Sequence, residues 1–229
     1  MDALLLDYNG VVVDDERLHY AAFAEVLGED GIALPEAEYD RDYLGLDDRA
    51  AFREAFRRAG RPWEPAAVQR LVARKAERYA ARAARELVVV PGVAAFVRAA
   101  ATHAAVAVVS GAIRPEVETG LAQAGIADVV AVVVTADEVH ATKPDPAGFR
   151  LALSALARRR SGGRWRAVVI EDSLPGLAAG RAIGAGCVAL TTSHAREVLA
   201  AADAVWESFV GRTPADLDAL WRPVEVPDG

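Results

Sequence analysis

Polar side chains capable of chemistry stand where apolar runs end. Asp7 follows Ala3-Leu4-Leu5-Leu6, Ser110 closes the run that starts at residue 105, and Glu171-Asp172 follow Ala167-Val168-Val169-Ile170. Lys143 lies in the polar loop after the run at residues 129–134. Gathered around one cavity, Asp7, Glu171 and Asp172 would repel one another unless a cation sat among them. Oxygen-only ligands, with no histidine or thiolate cluster nearby, suit a hard ion, Mg²⁺ before Ca²⁺. A lysine close to that trio would hold a phosphate oxygen and help keep Asp7 ionised. Lysine is scarce, with only Lys75 and Lys143 among 26 basic residues, so the placement of each is informative. Plainer readings stand beside these: an Asp after a strand is commonly a turn residue or helix N-cap, and Ser110 alone would be an N-cap.

Convergence requires elements that bring distant segments to one edge. Short apolar runs closed by turn signals read as buried parallel strands, and in open α/β sheets the working residues lie just past the strands' carboxyl ends. Strands are expected at 3–6, 105–110, 129–134, 167–170, 187–190 and 204–206, with helices at 93–101, 116–124, 146–158 and 176–183. Residues 35–86 carry no strand pattern; helices are expected at 16–27, 50–59 and 66–85, with Gly60-Arg61-Pro62 as a break. The arginine-rich face of 70–85, Lys75 included, reads as solvated helix surface. Strands alternating with helices imply βαβ units. The expected fold is therefore α/β, a Rossmann-like parallel sheet core (1–14 and 88–229) with an inserted all-helical cap (15–87).

Hydrophobic residues make up 53% of the 229, ample for a large core. No apolar run approaches the roughly 18 residues that span a bilayer, and no secretory signal pattern opens the chain. Cys187, the single cysteine, sits in an apolar setting and reads as a core residue. Cytoplasm is the expected compartment. A net charge of −7 argues against a nucleic-acid surface and leaves an anionic substrate to be captured by a local cation.

Four segments in order resemble the motifs of the haloacid dehalogenase superfamily: Asp7-Tyr8-Asn9-Gly10-Val11-Val12, Val109-Ser110-Gly111, Thr142-Lys143-Pro144 and Val169-Ile170-Glu171-Asp172-Ser173. Val90-Pro91-Gly92-Val93 and Leu174-Pro175-Gly176 also match, and the likeness is greatest to the phosphatase and β-phosphoglucomutase-like branch with a helical cap. The resemblance implies a Mg²⁺-dependent phosphohydrolase acting on a small phosphorylated metabolite, as a monomer or weak dimer. Asp7 would be the nucleophile that becomes an aspartyl-phosphate. Ser110 and the Gly111 N–H would bind the transferring oxygens, and Lys143 would bridge Asp7 and the phosphoryl group. Asp7, Asp172, Glu171 and the backbone carbonyl of Asn9 would hold the metal.

Asn9 departs from the pattern. The phosphatases and mutases of this family carry an aspartate there as general acid and base, and an amide cannot shuttle a proton. Losing that group typically costs about 10²–10⁴-fold in rate, less for a leaving group that departs easily, such as an acyl phosphate. The same residue weakens the mutase alternative and leaves open a phosphate-binding or regulatory protein without turnover. Phosphonate hydrolases carry alanine at this position and need a cap lysine, for which a solvated Lys75 is ill suited. In the cap, Leu44-Gly45-Leu46-Asp47-Asp48-Arg49 is similar to the loop that meets substrate in related phosphosugar enzymes. Arg49 would clasp a second anionic group or else pair locally with Asp47 or Asp48. His19 would face substrate or serve as a hinge residue, and His140 would touch substrate or lie in an exposed loop.

Overall fold

The computed structural model describes residues 2–44, 46–139, 141–159 and 164–226. The chain forms two compact units: one of Met1–Asp14 with Val88–Gly229, the other of Asp15–Leu87. Among the described residues, no helix is long and apolar enough to cross a membrane.

The first unit is built on a mostly parallel sheet. Strand β1 (Asp2–Leu6) runs parallel to β4 (Ala105–Val109) on one side and to β6 (Trp165–Glu171) on the other. Beyond β4 lies β5 (Val130–Val134); beyond β6 lie β7 (Gly186–Leu190) and β8 (Ala204–Trp206). The order β5-β4-β1-β6-β7-β8 makes β1 the switch point, because the chain builds outward to β5 and then returns across β1 to β6. Ligand crevices in open sheets form at such a position. Ala3, Leu4, Leu5 and Leu6 are wholly buried, each leucine contributing about 1.5–3 kcal/mol of burial, so the strand leading to Asp7 is firmly seated. Helices α5 (Val93–Ala101), α6 (Arg114–Gln123), α7 (Ala147–Arg159) and α8 (Leu174–Ala182) connect these strands. Phe149, Leu153 and Leu156 of α7 join Leu5, Val109 and Val134 in one core cluster.

Three short strands were not expected. β2 (Val13–Asp14) and β3 (Val88–Val89) pair antiparallel at the two points where the chain leaves and rejoins this unit. β9 (Arg222–Val224) pairs antiparallel with the start of β6.

The second unit holds α1 (Glu16–Glu29), α2 (Glu36–Asp42), α3 (Asp48–Arg58) and α4 (Pro65–Glu86). Phe23, Val26, Leu27, Tyr39, Phe52 and Leu71 form its core. Asp47 caps α3 by accepting the Ala50 N–H at 2.9 Å, and Pro65 opens α4 where a missing N–H costs nothing. Lys75 is not solvated. It is 1% exposed on the buried stripe Val68-Leu71-Lys75-Tyr79-Ala83 of α4, while Arg74, Arg78 and Arg82 beside that stripe pair with acids of the α1 segment. The spacing along α4, three or four residues per step, fixes which face goes inward irrespective of charge.

Candidate active site

Register sets the site. Leu6 lies opposite Val108 of β4 and Ile170 of β6, so Asp7, Ser110 and Glu171 emerge at one edge. The Asp7 N–H donates to the Ile170 carbonyl at 3.0 Å, and the Ser110 N–H to the Val134 carbonyl at 2.9 Å, continuing the ladders to the chemical residues themselves.

Lys143 reaches this edge from the loop ahead of α7. Its Nζ donates to Asp7 Oδ1 at 2.5 Å and to the Val109 carbonyl at 3.0 Å, and lies 2.5 Å from Glu171 Oε1. Burial pulls the ammonium pKa down, yet Asp7 and Glu171 outweigh it and hold Lys143 above its usual value. Burial and the Glu171 charge push Asp7 up to about 7, against the pull of Lys143. Asp172 is raised as well, by burial and then by Glu171 and Asp7. Glu171 Oε2 accepts from Ser173 Oγ at 2.9 Å, and Ser173 in turn caps α8 by accepting from the Gly176 N–H at 3.1 Å.

Asp7, Glu171 and Asp172 each offer an oxygen within 4.8 Å of the others, and all three are buried. One ammonium cannot offset three carboxylates in so small a space. The donor set, all oxygen and net negative, fits a divalent hard cation. The backbone is shaped for it: Gly10 has φ +72°, and a Cβ built there would stand 1.8 Å from Asp172 Oδ2. A Cβ at Gly176 would come equally close to the Glu171 carboxyl carbon, at 1.8 Å. Only glycine lets both carboxylates approach so closely.

Asn9, half-buried, bridges to Val13 and accepts from Ser110 Oγ at 3.4 Å. Ser110 Oγ also accepts the Ala112 N–H at 2.9 Å; it is not the cap of α6, which begins after Ile113. Gly111 lies exposed in the same turn. Reasoning from the strand ends left out one loop. After β7, Ser193 Oγ donates to Asp172 Oδ2 and Thr192 Oγ1 donates to the Gly10 carbonyl. The polar run Thr191-Thr192-Ser193 after Cys187-Val188-Ala189-Leu190 was the available signal.

Of the other predicted residues, His19 and Arg49 belong to the helical unit. His19, its side chain 15% exposed, sits with Nε2 3.2 Å from Asp15 Oδ2 and Nδ1 2.6 Å from Lys75 Nζ, its ring stacked on Tyr79. Lys75 also donates to Asp48 Oδ1 at 2.9 Å. Burial and Lys75 push the His19 pKa down, while the hydrogen bond and charge of Asp15 raise it more. Arg49 is exposed and makes no ion pair among the described residues, since Asp47 is taken by its cap and Asp48 by Lys75. His140 and Gly45 lie outside the described residues.

A family model described as haloacid dehalogenase-like hydrolase matches residues 4–190. The chain is 41% identical over 96 residues to validoxylamine A 7'-phosphate phosphatase of Streptomyces hygroscopicus subsp. limoneus, a match spanning 42% of this chain and 43% of that protein. It is 32% identical over 221 residues to protein CbbY of Cereibacter sphaeroides, covering 91% and 93% of the two chains. The crystal structure of CbbY from Rhodobacter sphaeroides in complex with phosphate superposes with a TM-score of 0.80 at 28% identity, covering 94% of this chain and 98% of that one.

Proposed function

Because this chain belongs to the haloacid dehalogenase-like hydrolase family and is a hydrolase of its phosphatase branch, we propose that it cleaves small organic phosphates through an aspartyl-phosphate on Asp7, with Mg²⁺ as cofactor. The carrying observation is the ion-paired set itself: Lys143 Nζ 2.5 Å from both Asp7 Oδ1 and Glu171 Oε1, with Asp172 in the same buried cluster. Asp7 attacks phosphorus, forming one P–O bond as the ester P–O bond breaks and the alcohol oxygen leaves, taking its proton from solvent; water then attacks the aspartyl-phosphate at phosphorus, breaking the Asp7–phosphorus bond and freeing phosphate. Lys143 and Ser110, with the Gly111 N–H, bind the phosphoryl oxygens as charge shifts onto them. Mg²⁺ held by Asp7, Asp172, Glu171 and the Asn9 carbonyl would supply charge neutralisation for a dianion approaching a carboxylate. Burial keeps the pairing strong, because few waters screen it.

Relatives support a small phosphorylated ligand. CbbY has been crystallised with phosphate and, as a mutant, with xylulose-(1,5)-bisphosphate. Arg49, exposed on the helical unit, is the group we assign to the rest of such a substrate, while His19, its ring nitrogens facing Asp15 and Lys75, serves the helical unit's own packing. Asn9 favours a second reading, a phosphate-binding protein with little turnover, since an amide supplies no proton to a leaving alkoxide.

Phosphate release from a panel of sugar phosphates and acyl phosphates, with Mg²⁺ and with EDTA, tests the proposal. Activity that EDTA removes and Asp7→Asn abolishes is expected. Metal-independent turnover, or turnover surviving Asp7→Asn, overturns it.

A further inference from the structure

We infer that the loop after β7 is a working part of this site: Ser193 and Thr192 are positioning residues, Ser193 orienting the cation-binding carboxylate of Asp172 and Thr192 holding the Gly10 backbone against it. The inference rests on the reading of Asp172 as a metal ligand and extends it to residues on a different strand end.

Two consecutive residues, each donating from its hydroxyl, meet the two halves of one close contact. Ser193 Oγ donates to Asp172 Oδ2, the same oxygen that a Cβ at Gly10 would strike. Thr192 Oγ1 donates to the carbonyl of Gly10 itself. The loop therefore grips both sides of the Asp172–Gly10 apposition from β7, whose Val188 and Ala189 are in register with Ile170 and Glu171 of β6.

The need for such a grip follows from charge. Asp172 is 5% exposed and shares its space with Asp7 and Glu171, while the Lys143 ammonium is already committed to those two. A like-charged carboxylate with no donor of its own would turn away from its neighbours. A neutral hydroxyl anchors it without adding a cation that would compete with a metal. Fixing one oxygen also fixes the direction of the other. Outer partners of this kind typically change metal affinity about 10–100-fold when removed.

Mn²⁺ binding followed by EPR on the intact protein, without substrate, provides the test, alongside the Mg²⁺ dependence of phosphate release. Ser193→Ala should weaken Mn²⁺ about tenfold or more and raise the Mg²⁺ concentration for half-maximal activity in step. Turnover at saturating Mg²⁺ should change far less. Ser193→Thr, which keeps the hydroxyl, should restore affinity, and Thr192→Val should weaken it in the same direction. Wild-type affinity in a folded Ser193→Ala protein overturns the positioning role alone. Equal loss in Ser193→Ala and Ser193→Thr also overturns it, since packing rather than the hydroxyl would then be at work. Failure of the wild-type chain to bind Mn²⁺ overturns the metal reading and this inference together.

Discussion

Asp7, Lys143 and Asn9 divide the chemistry between what the chain keeps and what it lacks. Asp7 and Lys143 form a pair whose members each stabilise the other's charge in a buried setting. Lys143→Met leaves Asp7 and Glu171 without their shared counter-ion, and a drop in turnover of at least about 10²-fold is expected in a steady-state assay. Asn9→Asp supplies a titratable carboxyl where Ser110 now donates to an amide. It should raise turnover on alkyl phosphates by roughly 10²–10⁴-fold and affect acyl phosphates far less. Comparable gains on both substrate types would argue that leaving-group protonation is not what Asn9 limits. Cys187 is the opposite case, a nucleophilic atom made inert. Burial raises its thiol pKa to about 11, so alkylation by iodoacetamide at pH 8 should be slow in the native protein and fast in denaturant, read by intact mass.

Elements explain why these residues are where they are, and how far the sequence discloses it. The long apolar strands, β1, β4, β5, β6 and β7, were legible because each is a buried run ended by a polar residue or turn. That is also why Asp7, Ser110 and Glu171 could be placed at one edge before any coordinates. The pieces that escaped lack such a signature. β2, β3 and β9 are two or three residues long, too short for any periodicity, and α2 buries only Tyr39. Lys75 was misread because its charge was weighed above its place on the stripe from Val68 to Ala83. Ser193 escaped because the polar run Thr191-Thr192-Ser193 carries no charge, and neutral hydroxyls after a strand read as an ordinary turn until their partner is seen. The turn after β1 depends on Gly10 having no side chain: Gly10→Ala would put a methyl 1.8 Å from Asp172 Oδ2 at φ +72°, and loss of Mn²⁺ binding is expected. Within the helical unit, Tyr79 OH donates to the wholly buried Asp15 carboxylate. Tyr79→Phe should cost about 1.5–3 kcal/mol in a denaturant titration, the range for a hydrogen bond to a charged group.

At the scale of the whole molecule, charge and topology set the terms. A chain of net charge −7 gives an anionic substrate no general attraction, so on the proposed reading capture would fall to Lys143 and a bound divalent ion. Binding that ion to the folded state alone stabilises it, by about 2.7 kcal/mol at a hundred times the dissociation constant. For a chain of this length that corresponds to a rise in melting temperature of roughly 5–10 °C with Mg²⁺, reversed by EDTA, and no shift in Asp172→Ala.

Asp14 pairs with Val88 where the helical segment departs and returns, and this makes the segment a separable piece for engineering. Seventy-odd residues depart and come back through one doorway whose two jambs are already hydrogen-bonded neighbours. Lengthening a loop between fixed ends costs only about 0.6 kcal/mol per doubling, so the roughly five doublings from a tight turn to this segment cost about 3 kcal/mol, which a bundle with its own core can offset. By the same logic it can be cut out: an Asn-Gly turn joining Asp14 to Val88 closes an ordinary hairpin, and the sheet that carries Asp7 need not notice.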